Sequence, residues 1–305
     1  MKRVIENIFT NLLNIKPSEK ILIVTDKKME NLASLFYSEA KKINNYSYLV
    51  SMEPRKVDGE EPPKKIANLM KNSDVILAIT TKSLTHTKAV RESLKNGARI
   101  VSMPNIQKFS FVKGGLTVDP HVVKKLVNKI YKKVFGSEKI EVKSKNGTEV
   151  KFDVKGREWQ KDEPIIHDRG RIINLPAGEV FVAPLEKSVN GKIVFDYFDG
   201  EKKVFLKIKN GIVFETNSKL LKKVFKKLKK ARQVAEFGIG CNPKAKVIGN
   251  TLEDEKVFGT IHFALGNNLT FGGKNKVNFH KDGIVEKPTV IVDGEKIIEN
   301  GEWLI

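Results

Sequence analysis

One cysteine, Cys241, in 305 residues leaves no partner for an intramolecular disulfide. That usage suits a reducing, cytoplasmic compartment, where a lone thiol serves as a small buried hydrophobe. Acid is in deficit, with 36 Asp and Glu against 56 Lys and Arg and a formal net charge of +20. The lysines are spread over every expected helix and turn and are not interleaved with aromatics, which make up only 8% of the chain. They are therefore read as a solvated surface, and no nucleic-acid partner is expected. Long apolar runs are also missing: nothing approaches the roughly 20 residues of a membrane span. The first strand-to-helix turn reads TDKKMEN and has no G-x-G-x-x-G, so the glycines that let a backbone approach a pyrophosphate are absent. Glutamine is scarce beside abundant Lys and Glu, a bias that resembles hyperthermophile proteins.

What is present is an ordinary globular composition, 40% hydrophobic and 30% charged, in a chain long enough for two domains. Near the N-terminus, Val4, Ile5, Ile8, Phe9, Leu12 and Leu13 recur at helical spacing, while Glu6, Asn7 and Asn11 interrupt the apolar run that a signal peptide needs. From residue 21, strands (ILIVTD, YSYLVSM, DVILAIT, ARIVSM) alternate with helices near 29–43, 62–73 and 85–97. This alternation predicts an α/β domain over 1–136, a parallel sheet with helices on both faces. His86, at the start of one helix, is read as structural. After a basic helix near 122–136 the period changes. Hairpin signals at Asn146-Gly147, Asn210-Gly211 and Asp293-Gly294 predict an α+β domain over 137–305, rich in antiparallel hairpins. Within it, Leu220, Leu221, Val224, Phe225 and Leu228 form one apolar helix stripe, with Lys222, Lys223, Lys226 and Lys227 facing outward.

The chemistry-bearing stretch runs from Glu236 to Asp282. His280 and Asp282 form an H-x-D pair in VNFHKDGIV, and alternate residues of a strand point to one face, so the pair can reach one ion together. Imidazole and carboxylate suit Zn, Co, Mn or Fe. His262 lies in VFGTIHFALG, read as a helix whose acidic start is Glu253, Asp254 and Glu255. Glu179 follows Pro176-Ala177-Gly178 at the mouth of a strand, where by itself it reads as an ordinary exposed residue.

The phrases NLPAGEVFVAP, AEFGIGCNP, LEDEKVFGTIHFALG, FGGKN and FHKDG, in that order, resemble the thermophilic aminopeptidase T family of metallo-aminopeptidases, in its archaeal leucyl-aminopeptidase-like branch. HTKAV and GARIVSMPNI extend the resemblance into the first half. It implies a cytoplasmic homodimer that removes N-terminal residues from peptides with two divalent ions. Glu179, Glu236, His262, His280 and Asp282 would be the metal ligands, and Glu255 or Glu236 the catalytic acid, with Glu253 second to Glu255. Two ions roughly 3.5–4 Å apart need a bridging carboxylate with terminal His and acid ligands. One departure stands out: Leu269 occupies a position where bacterial members carry a tyrosine, leaving Lys274 or Asn275 as the nearest polar candidates for the oxyanion. A second reading uses His262, His280 and Asp282 as the two-His-one-carboxylate triad of a mononuclear non-haem Fe(II) protein, since ring-cleaving dihydroxypyridine dioxygenases are distantly similar to this peptidase family. A non-enzymatic binding protein with a vestigial site is the third.

Overall fold

The computed structural model describes residues 1–304. Two compact units are present: Met1–Lys124 with Asp162–Ala177, and Lys125–Lys161 with the chain from Gly178 onward. The division thus falls after Lys124, within the helix Pro120–Val134, and not at 136, and a later segment returns to the first unit.

In the first unit the strands lie in the order Ser47–Met52, Ile21–Asp26, Val75–Ile79, Arg99–Ser102 and Ile172–Asn174, every pair parallel. Ile21–Asp26, Val75–Ile79 and Arg99–Ser102 are buried along their whole length. That is the signature of a sheet covered on both faces. Leu22, Val24, Ile76, Ala78 and Ile100 pack with Met52, Met70 and Val90 into one apolar cluster. Helix Lys88–Lys95 starts on Thr87, whose hydroxyl accepts the Val90 N–H at 3.2 Å, a side-chain cap. His86 immediately precedes that cap. At the N-terminus, Ile5, Ile8, Phe9, Leu12 and Leu13 are buried as the helical spacing requires, although the helix widens to a π-type turn over Ile8–Leu12.

The second unit is built on a large antiparallel sheet. The expected hairpins are present: Lys139–Lys143 with Glu149–Asp153, Glu201–Lys209 with Ile212–Thr216, and Thr289–Val292 with Glu295–Glu299. Asn210-Gly211 and Asp293-Gly294 have φ of 50° and 78°, and 49° and 86°, the positive pair that a two-residue hairpin turn needs. Four neighbouring strands matter most, in the order His280–Val285, Ile261–Gly266, Val234–Gly240 and Glu179–Val182. Here the helix expected around His262 is corrected to the strand Ile261–Gly266, buried throughout and paired on both sides. A fully buried central strand is a continuous apolar run, which periodicity alone does not separate from helix. The acidic run before it forms a single turn, Thr251–Asp254, and Glu255 ends it. Beneath the sheet, Phe237 meets Phe152 at 5.1 Å, Phe263 at 5.2 Å and Trp159 at 6.1 Å between centroids.

Arg99 supplies a stability test for the first unit. Its side chain is 4% exposed and bonds Glu19 at 2.6 and 2.7 Å, with a further bond to the Leu13 carbonyl. Removing the partly exposed Glu19 leaves the buried Arg99 guanidinium without its carboxylate, so Glu19→Ala should cost about 3 kcal/mol in urea unfolding. A loss within about 0.5 kcal/mol, the range of ordinary surface changes, would show that the pair does not hold the unit together.

Candidate metal centre

Strand period and register bring the acid and imidazole side chains together. Glu236, Gly238 and Gly240 alternate along one strand, His262, Ala264 and Gly266 along the next, and His280 and Asp282 along the third. Across the ladder, Glu236 pairs with Ala264 and Ala264 with Asp282, Gly238 pairs with His262, and Gly240 pairs with Glu179. Residues in register share a face, so all five expected ligands emerge on one side while Phe237, Phe263 and Val180 fill the other. Small residues stand between them. A Cβ on Gly238 would lie 2.0 Å from His262 Nε2, and one on Gly240 would lie 2.0 Å from the Val257 carbonyl oxygen. The first glycine gives room to the imidazole, the second to the turn that follows Glu255.

The side chains form two three-residue groups that share Glu236: Glu179, Glu236 and His262, and Glu236, His280 and Asp282. Nε2 of His262 is 3.3 Å from Glu179 Oε2 and 3.6 Å from Glu236 Oε1. Nε2 of His280 is 3.2 Å from Glu236 Oε2 and 3.6 Å from Asp282 Oδ1. Nδ1 of His280 lies 2.8 Å from the Asn267 carbonyl oxygen, to which it donates. That bond leaves Nε2 facing the carboxylates, the outer support typical of a metal-ligating imidazole. His262 is 1% exposed, and neither ring nitrogen has a hydrogen-bond partner among the described residues. A buried imidazole without hydrogen bonds, set among carboxylate oxygens, fits an ion better than it fits a packed core. The group can therefore hold a metal ion.

Electrostatics point the same way. Burial opposes charge on His262, yet contact with Glu236 and the charges of Glu179, Glu236 and Asp282 outweigh it and lift its pKa to about 9. His280 is likewise held well above its ordinary value, burial opposing while Asp282 and Glu236 prevail. Asp282 is drawn down to about 2 despite its burial, because the positive His280 lies beside it. Glu236 is lowered too, burial again being outweighed by the two imidazoles. Burial raises Glu255, against the nearby Lys256 charge. The cluster is an anionic cradle that recruits protons when no cation fills it.

Other expected residues fall elsewhere. Glu253 is 1% exposed on the Thr251–Asp254 turn and lies in neither ligand group. Lys274 donates its backbone N–H to Glu186 Oε1 at 2.6 Å, and the Asn275 amide nitrogen donates to the carbonyls of Gly266 and Lys230 at 2.6 and 2.9 Å, a loop-fixing role. Leu269 is 44% exposed on a short helical turn. Sequence reasoning missed Lys256, fully buried, with Nζ 2.5 Å from Glu179 Oε1 and 2.9 Å from Glu255 Oε1. Its signal was a lone lysine directly after three acids, read there as part of a charged surface.

An α/β unit followed by an antiparallel unit that gathers two imidazoles and several acids on one sheet face defines a candidate metal centre. The chain belongs to the family described as NicX, 2,5-dihydroxypyridine 5,6-dioxygenase, whose model matches residues 4–305. Among solved structures, it is similar to the 2,5-dihydroxypyridine dioxygenase of Pseudomonas putida KT2440, with a TM-score of 0.83 at 16% identity over 99% of this chain and 96% of that one. It is also similar to wild-type AmpT of Thermus thermophilus, with a TM-score of 0.74 at 15% identity over 100% and 98%. No curated protein matches it by sequence. The aminopeptidase expectation, with its peptide-bond hydrolysis by two-metal-activated water, is therefore corrected: the fold is shared with AmpT, but the family is that of a dioxygenase. Physically, several of the phrases that suggested a peptidase lie on the strands Glu179–Val182, Val234–Gly240, Ile261–Gly266 and His280–Val285 of this sheet.

Two outcomes test the centre. Because both imidazoles hold protons above their ordinary pKa, an arriving ion must displace them, so affinity should rise with pH, the His262 contribution ending at about 9. Zn²⁺ titration calorimetry should show Kd falling about tenfold per pH unit for each proton displaced between pH 6 and 8. A flat profile would contradict the assignment. In Gly238→Ala the new Cβ meets the imidazole ring, and metal affinity should drop roughly 10–100-fold with unchanged circular dichroism. Wild-type affinity in that variant would mean that His262 is not a ligand.

Proposed function

We propose that the protein is an iron-dependent ring-cleaving dioxygenase acting on a dihydroxylated nitrogen heteroaromatic, with a single divalent ion at the cluster. One observation carries the reading. His262 and His280, on paired strands, share a face with Asp282, whose Oδ1 is 3.6 Å from His280 Nε2. Two histidines and one carboxylate with open coordination positions are the donor set of non-haem Fe(II) oxygenases. Membership of the dioxygenase family supports the reaction class, and the family description supports the substrate class. Glu236, whose two oxygens face the two imidazoles, is assigned as a further ligand beside the triad. The alternative count of two ions, with Zn, Co or Mn, came with the peptidase resemblance and is not adopted.

Bound there, ferrous iron supplies the electronic link through which O₂ and an electron-rich ring can react. The balance needs no external reductant: a ring carbon–carbon bond breaks and both oxygen atoms end in the product. The chain's own residues do the rest. His280, with Nδ1 donating to Asn267, keeps one tautomer and one ring orientation. A hydroxylated ring becomes electron-rich when it loses a proton, and Glu255 is assigned as the acceptor. Burial raises its proton affinity above that of an ordinary carboxylate, toward the range where a general base works best. Glu236 carries the same role more weakly in this assignment, because both imidazoles lower its pKa.

Anaerobic loading with Fe²⁺ followed by 2,5-dihydroxypyridine should give O₂ uptake equal to substrate consumed, with both atoms of ¹⁸O₂ in the product. Glu255→Gln should lower kcat by roughly 10²–10⁴-fold at unchanged iron content. Iron-loaded protein that takes up no O₂ with dihydroxypyridines or dihydroxybenzenes would overturn the proposal.

A further inference from the structure

The two ligand groups that share Glu236 are not equivalent. The first, Glu179–Glu236–His262, already has a cation attached. Lys256 is 0% exposed, and its Nζ lies 2.5 Å from Glu179 Oε1 and 2.9 Å from Glu255 Oε1. The second, Glu236–His280–Asp282, has no lysine or arginine among its ion-pair partners in the described residues. We propose that Lys256 is a resident cation that occupies the electrostatic place of a second metal ion, so that one divalent ion binds, on the His280–Asp282 side of Glu236. This rests on reading the cluster as a metal centre.

The fold places this lysine by construction. The turn Thr251–Asp254 closes with the Lys256 N–H donating to the Glu253 carbonyl at 3.2 Å, and the Lys256 carbonyl accepts from the Asn242 N–H at 2.8 Å. Both contacts fix the backbone. Gly240 lets that backbone lie directly on the strand, since a Cβ there would meet Val257 O at 2.0 Å and Lys256 C at 2.9 Å. Gly240 is also the register partner of Glu179, so the glycine that admits the lysine backbone stands opposite the carboxylate the lysine holds. An ammonium is a compact point charge and binds a carboxylate without coordination geometry.

The consequence is a partition of one anionic cluster. Glu179 presents Oε2 to His262 at 3.3 Å while Oε1 is held by Nζ. A divalent ion on Oε2 would face the ammonium across a single carboxylate, in a buried setting where like charges are poorly screened. On the other side, Glu236 Oε2, His280 Nε2 and Asp282 Oδ1 have no lysine or arginine paired with them, although the Lys256 charge reaches Asp282 from a greater distance than it reaches Glu179. His262 remains beside Glu236 Oε1 at 3.6 Å and can complete the first ion's donor set without a second ion. Removing the ammonium leaves Glu179 and Glu255 without their cation, and the vacant charge should then recruit a second divalent ion.

The experiment is a Co²⁺ titration of metal-stripped full-length protein. Bound metal is counted per chain by elemental analysis, and the visible ligand-field spectrum is read at each step. Wild type should saturate at one ion, as should Lys256→Arg, which keeps the charge. Lys256→Met should bind two, the second at least tenfold more tightly than any second ion in wild type and with its own spectral band. Lys256→Gln, which removes the charge but keeps a hydrogen-bond donor, should behave like Lys256→Met and serves if that variant fails to fold by circular dichroism. Two ions in wild type, or one in the folded charge-free variants, would overturn the role of Lys256 while leaving the metal centre standing. No ion in wild type would remove both.

Discussion

Acids and imidazoles set side by side on a sheet face, away from bulk water, are unstable company unless something positive lies among them. That constraint organises the second unit. Glu179, Glu236 and His262 are each at most 7% exposed as residues, and the imidazoles answer the surplus of negative charge by holding protons well above their ordinary pKa. A divalent ion resolves the same imbalance with directed bonds, and a buried lysine resolves part of it with an undirected charge. The sheet beneath makes the arrangement possible, because Phe237, Phe263 and Phe152 interlock on the opposite face and hold the strands in register. A one-residue slip would send every ligand into that aromatic core.

The similarity to both the dioxygenase structure and that of AmpT is a similarity of fold. Identities of 15–16% carry the fold and not the reaction. Chemistry on a shared fold is set by the groups that line the site. Here those groups are two histidines, Asp282 and a shared Glu236, beside a Glu179 that already has Lys256 for a partner.

Much of this was legible in the residues. The parallel sheet followed from apolar runs alternating with helical spacing, and the hairpins from Asn-Gly and Asp-Gly dipeptides. Five acid and imidazole positions were found before any geometry, and they do converge, but only the H-x-D pair followed from strand period alone. Other features were hidden for physical reasons. Ile172–Asn174 is a three-residue strand whose parallel pairing to Arg99–Ser102 is a long-range contact with no local pattern. IHFALG is buried on both faces, so its periodicity did not distinguish strand from helix. Lys256 was invisible because lysine is almost never fully buried unless paired, and the pairing lies 77 residues away at Glu179. Gly238 and Gly240 carry no side chain to signal their role, yet they are the spaces into which His262 and the Lys256 backbone fit.

The central claim is that one sheet face, lined by His262, His280, Asp282 and Glu236, is a cradle for a divalent cation. Anomalous diffraction at the iron edge from crystals of the Fe²⁺-loaded protein, grown anaerobically, tests it most directly. The account predicts one strong peak per chain within bonding distance of His280 Nε2 and an Asp282 carboxylate oxygen. A peak elsewhere, or a face free of metal in protein that carries iron in solution, would contradict it.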